Sequence, residues 1–100
     1  MQLIISVLGP AKEEIEDLIN SAIGERVIHH ETDYSWNQED LTFTVFCSSE
    51  RDVMNLKNYI WTWLPKAAKI RSSIRFYKKH GNSPVKFSLG MSILNSILWR

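Results

Sequence analysis

The sequence predicts an α+β domain of the ferredoxin-like kind. This is a βαββαβ chain whose four strands form an antiparallel sheet with two helices on one face, followed by a C-terminal helical or lid segment. Three observations carry that expectation. Two stretches have apolar residues at helical spacing, several others alternate or run apolar as strands do, and the two kinds follow one another in the split βαβ order. Residues 1–80 are expected to form the domain, and residues 81–100 a tail packed on it or on a partner.

The elements follow in order. "QLIISVLG" (2–9) is almost wholly apolar and reads as a buried central strand. Pro10 suits the first turn of the helix that follows. In that helix Ile15, Leu18, Ile19, Ala22 and Ile23 recur at i, i+3, i+4, i+7 and i+8 and form one stripe. Glu13, Glu14, Glu16 and Asp17 fall in its early turns, where they complement the positive end of the dipole, and Gly24 marks its stop. "ERVIHHETDYSW" (25–36) reads as a polar edge strand and "NQED" as a turn, so that Trp36 falls at the turn. "LTFTVFC" (41–47) alternates, with Leu41, Phe43, Val45 and Cys47 on one face and Thr42, Thr44 and Phe46 on the other.

Ser49 with Asp52 three residues on approximates a capping box for the second helix. Its buried stripe is expected to be Val53, Leu56, Ile60, Trp63 and Leu64, with Met54 and Trp61 on the flanks, and Pro65 ends it. "AKIRSSIRFYKK" then reads as a half-buried strand. Ile70, Ser72, Ile74 and Phe76 face the core, and Lys69, Arg71, Ser73, Arg75 and Tyr77 face away. In the tail, Phe87, Met91, Leu94 and Leu98 sit at helical spacing. With both helices on one face, the other face of the sheet is bare unless the tail, a ligand or a partner covers it.

At 100 residues the chain suffices for one domain with one core, and 44% apolar against 23% charged residues excludes a disordered chain. Cys47 is the sole cysteine, so neither an internal disulfide nor a thiolate metal cluster is available. The N-terminus has no basic region of the signal-peptide kind, and the apolar tail is shorter than a membrane span. A cytoplasmic protein is the expectation.

Charge is divided along the chain. Residues 1–50 carry two bases and ten acids; residues 51–100 carry ten bases and one acid, Asp52. Such division points to an interaction surface, to internal pairing, or to association between copies. The run "KAAKIRSSIRFYKKHG" (66–81) has bases and no acid.

The stretch "LIISVLGPAKEEIEDLINSAIGERVIHHETDY" resembles the first βαβ unit of an ACT domain, in which a strand leads through a turn into a helix and then an edge strand. The family's Asp-Arg-Pro-Gly turn is replaced here by Gly9-Pro10-Ala11-Lys12. The resemblance implies the same fold and a regulatory role, with a small ligand held near Gly9 to Lys12 at a dimer interface.

Other chemistry is thinly represented. On a regular strand His29 and His30 point to opposite faces, leaving His29, Glu31 and Asp33 in one row; a polar edge that resists pairing accounts for them better than a metal does. Cys47 lies on an apolar strand face, as a small hydrophobe does. No nucleophile elbow and no glycine-rich phosphate loop is present. The expectation is therefore no catalysis, no cofactor and no metal. The protein is expected to act by binding, as a regulator, adaptor or inhibitor. It would present Lys69, Arg71, Arg75, Tyr77, Lys78 and Lys79 to an acidic protein partner, with Phe46 joining from the neighbouring strand. Nucleic acid on the same face is the alternative partner, and a homodimer is a further expectation.

Overall fold

The computed structural model describes residues 1–80 and 83–84. Its elements are β1 (Gln2–Leu8), α1 (Lys12–Gly24), β2 (Asp33–Asn37), β3 (Thr42–Phe46), α2 (Glu50–Trp63), α3 (Lys66–Arg71), β4 (Ser73–His80) and β5 (Ser83–Pro84). The sheet order is β2-β3-β1-β4-β5 and every neighbouring pair is antiparallel. The first four strands thus have the ferredoxin-like arrangement, with β3 inserted between β1 and β2. The two-residue β5 extends the sheet beyond β4.

Period-2 alternation determines which side of each strand meets the helices. Leu3, Ile5 and Val7 of β1, Phe43 and Val45 of β3 and Phe76 of β4 are buried against Ile15, Ile19 and Ala22 of α1 and Val53, Leu56 and Ile60 of α2. Each large side chain so buried contributes about 1.5–3 kcal/mol of transfer free energy. Tyr34 ties α1 to β2: its hydroxyl donates to Glu16 Oε2 at 3.0 Å and accepts from Asn20 Nδ2 at 3.0 Å. On the other side Trp61 of α2 meets Phe76 of β4 edge to face, with ring centroids 6.4 Å apart. So α1 lies over the β2 side of the sheet and α2 over the β4 side.

Ser49 caps α2 as its sequence suggests, its Oγ accepting from the Asp52 N–H at 3.1 Å. The Asp52 carboxylate accepts from the Ser48 hydroxyl at 3.0 Å and from the His29 N–H at 3.1 Å, which fastens the loop after α1 to the start of α2. The β2–β3 turn is an Asx turn: Asn37 Oδ1 accepts from the N–H groups of Glu39 and Asp40, and Leu41 takes a left-handed φ of 57°.

Several expectations are corrected. Residues 68–71, expected to open the strand, belong instead to the helix α3. Ala, Lys and Arg are strong helix formers, Pro65 leads into the first turn, and Lys69 N donates to Pro65 O at 3.1 Å. Ile70 therefore points away from the core and is 78% exposed. Trp63 is 63% exposed; Val53, Leu56, Lys57, Ile60 and Leu64 make the buried stripe of α2 instead. The second strand begins at Asp33, leaving residues 25–32 as loop and turn, with Arg26 at a left-handed φ of 60°. Trp36 lies within β2, its ring 4.6 Å from Phe43. The expected helical tail lies outside the described residues.

Candidate functional site: the open face of the sheet

The strand residues that alternate with the core positions form the second face of the sheet. Register arranges them in rows. One row runs Asp33, Phe46, Gln2, Lys79; the next runs Ser35, Thr44, Ile4, Tyr77; the third runs Asn37, Thr42, Ser6, Arg75. Leu8 and Ser73 extend the face beyond the third row. Phe46 is 47% exposed and Leu8 50% exposed, while Ile4, Thr42, Thr44 and Tyr77 are half-buried. The result is a platform with an apolar middle, hydroxyls beside it, two bases and a phenol along β4, and one carboxylate, Asp33, on the edge strand β2.

The six basic-surface residues singled out in the sequence fall in three places. Arg75, Tyr77 and Lys79 share the open face on β4. Lys69 and Arg71 lie in the last turn of α3, where positive charge complements the helix terminus; Lys69 Nζ also sits 4.5 Å from the centroid of the Trp61 ring. Lys78 turns to the helix side and pairs with Glu50 at the start of α2. Phe46 does join the face, as expected. Ile4, Leu8 and Gln2 complete it, and they could not be assigned to it from one strand alone; the signal was the polar or half-exposed alternate of a strand read as wholly buried.

The division of charge along the chain becomes a division in space. β2 and its turn carry Asp33, Glu39 and Asp40, and α1, held over that side by Tyr34, carries Glu13, Glu14, Glu16 and Asp17. β4 and α3 together carry six bases and no acid. Three inter-strand gaps separate β2 from β4, about 14 Å, which exceeds the physiological screening length of about 8 Å. The two sides therefore do not neutralise each other across the domain. Lys78 and Glu50 meet where they come together, and Lys12 bridges to Glu16 on α1 at 3.5 Å while lying 5.2 Å from the Trp36 ring centroid.

A second region with chemically active side chains lies at the other end of the helices. A shallow depression of about 320 Å³ is lined by residues that include Arg26, His29, His30, Ser48 and Asp52. His29 and His30 do not point to opposite faces, since they are not on a strand: their rings stack with centroids 4.5 Å apart. His29 Nδ1 accepts from the Glu31 N–H at 3.1 Å. Asp52 is engaged by Ser48 and the His29 backbone, and among the described residues no three His, Cys, Asp or Glu side chains converge as metal ligands do. Cys47 beside it is buried, and burial, reinforced by the Asp52 charge, pushes its thiol up to about 11, so it is protonated at neutral pH. The Gly9–Lys12 turn, where the ACT resemblance implies a ligand, packs against the start of β4: a Cβ on Gly9 would come within 2.8 Å of Arg71 O and Ser72 Cα.

Among the described residues no helix is long and apolar enough to cross a membrane. Comparison with known proteins gives no match: no family model fits the chain, and neither a curated protein nor a solved structure is significantly similar to it.

Proposed function

We propose that this protein is a non-catalytic binding domain, a small regulator, adaptor or inhibitor in the cytoplasm, which docks an acidic protein surface on the open face of its sheet. The observation that carries the reading is the composition of that face. Phe46, Ile4 and Leu8 supply apolar area over which none of the helices among the described residues lies, and Arg75, Tyr77 and Lys79 line one side. Interfaces combine an apolar centre with a polar rim, and Tyr and Arg supply a disproportionate share of their energy. Arg75 can make a bidentate contact with a carboxylate, and Tyr77 offers a ring with a hydrogen-bonding end. On this reading Lys69 and Arg71, on α3 and off the face, add to the positive field that steers an acidic partner rather than anchor it, and Lys78 supports α2.

A second reading, nucleic acid on the same face, is favoured by the Tyr77 ring between Arg75 and Lys79 on β4, with the Phe46 ring exposed two strands away, since unpaired nucleobases stack on such rings. The two separate by experiment. A purified captured partner should bind the wild-type chain and lose at least about tenfold in affinity on Arg75→Glu, the loss expected from about 1.4 kcal/mol. A single-stranded oligonucleotide that binds at low salt, with affinity falling steeply as salt rises, would favour the second reading and displace the first.

A further inference from the structure

We propose that the open face is occupied by a second copy of this chain, packed face to face about a two-fold axis parallel to the strands, so that Asp33 of each copy meets the partner's Lys79. This rests on the reading of the face as a protein-docking surface and names its occupant. A two-fold axis parallel to the strands preserves each row and reverses the strand order, so β2 lies over β4 of the other copy and β3 over β1.

The row Asp33, Phe46, Gln2, Lys79 then stacks on itself reversed, placing Asp33 opposite the partner's Lys79 at both ends of the row. Ser35 meets the partner's Tyr77 and Thr44 meets the partner's Ile4 in the second row. Asn37 meets the partner's Arg75 in the third. Each copy thus offers a carboxylate, a hydroxyl and an amide where the other offers an ammonium, a phenol and a guanidinium, and no like charges face each other. Packed sheets also prefer near-aligned strands, which this axis gives.

The competing two-fold, in the sheet plane but perpendicular to the strands, is rejected by the same residues. It preserves strand order and reverses the rows, setting Arg75 over the partner's Lys79 and Lys79 over the partner's Arg75. Like-charge juxtaposition of that kind is a strong penalty against a wrong pairing. The two-fold symmetry closes the assembly at two copies. Four strands of five to eight residues make a face about 19 Å by 20 Å, so two such faces, with side-chain relief, bury no more than about 1,000 Å². That is the lower bound of a specific interface, so the association should depend on concentration.

Sedimentation equilibrium of the full chain tests this. The mass should rise from the 11.7 kDa monomer toward twice that value with concentration. Asp33→Lys and Lys79→Glu, each of which sets like charges opposite each other twice, should weaken the association at least about tenfold. The chain carrying both substitutions exchanges the charges and should recover it. Asp33 Oδ1 also accepts from the Tyr34 N–H, so Thr44→Arg, which puts a cation opposite the partner's Ile4, serves as an independent disrupting variant. Melting curves confirm that each variant is folded. A chain that stays monomeric at all concentrations overturns the dimer; if a purified acidic partner still binds it through Arg75, the docking face itself stands. A dimer indifferent to both single reversals, or not restored by the double exchange, overturns this pairing.

Discussion

A Cβ placed on Gly9 would lie 2.8 Å from Ser72 Cα and equally close to the carbonyl oxygen of Arg71, with Gly9 at a φ of 126°. The end of β1 and the junction of α3 with β4 therefore meet at a position open to glycine alone. Both the strain of that backbone angle and the backbone clash oppose any side chain. Gly9→Ala should destabilise by about 3 kcal/mol or more, read as a fall in the denaturant midpoint. Gly24 is the control. Nothing lies within 4 Å of its added Cβ and it ends a helix, so Gly24→Ala should be neutral or stabilise by up to about 1 kcal/mol. Equal losses at the two sites would contradict this.

Asp52 fastens the loop after α1 through the His29 N–H and the Ser48 hydroxyl, while Ser49 caps the same helix. Ser49→Ala should cost about 1 kcal/mol globally. Asp52→Ala should in addition raise amide exchange at His29. If the exchange rate there rises no more than in Ser49→Ala, Asp52 does not hold the loop.

The buried Cys47 thiol gives a pH signature. Its folded value of about 11 stands above the ordinary 9.0, so the folded state holds this proton more tightly than the unfolded chain. The stability from that difference is fully present below pH 9 and is lost as pH rises toward 11. The loss amounts to roughly 2–3 kcal/mol by linkage. Cys47→Ser or Cys47→Ala should remove this part of the alkaline slope in urea titrations. An unchanged slope would mean that other groups, such as Tyr34, whose phenol burial also raises, dominate it.

The basic residues of the 66–79 run should separate by assay. Lys78→Met loses the pairing with Glu50 and should cost up to about 1 kcal/mol of stability while leaving docking nearly unchanged. Arg75→Glu, exposed on the open face, should leave stability nearly unchanged and abolish most docking. The opposite assignment of effects would show that the sheet face has been confused with the helix side.

Much of this was legible in the chain. Ile15, Ile19 and Ala22, and Val53, Leu56 and Ile60, follow the helical period so regularly that both main helices and their buried sides could be read directly. The alternation of Phe43 and Val45 with Thr42, Thr44 and Phe46 identified both faces of β3. What failed was the segment 66–71, where Ile70 and Ser72 fit a strand period by coincidence and helix propensity decided the outcome. Trp63 differs for a related reason: apolar character does not by itself decide burial, and at the last residue of α2 the side chain is exposed. The site was only half readable, because Lys79 joins Asp33 through register across three strand pairs, and pairing between distant segments leaves no mark on either segment alone.

Amide chemical-shift mapping tests the central claim most directly, since it locates the docking surface whatever occupies it. As protein concentration is raised, or the captured partner is added, the account predicts shifts at Ile4, Thr44, Phe46, Arg75, Tyr77 and Lys79, with Trp61, Lys69 and Ile70 unmoved. Shifts confined to α2 and α3, with the open face silent, would contradict it.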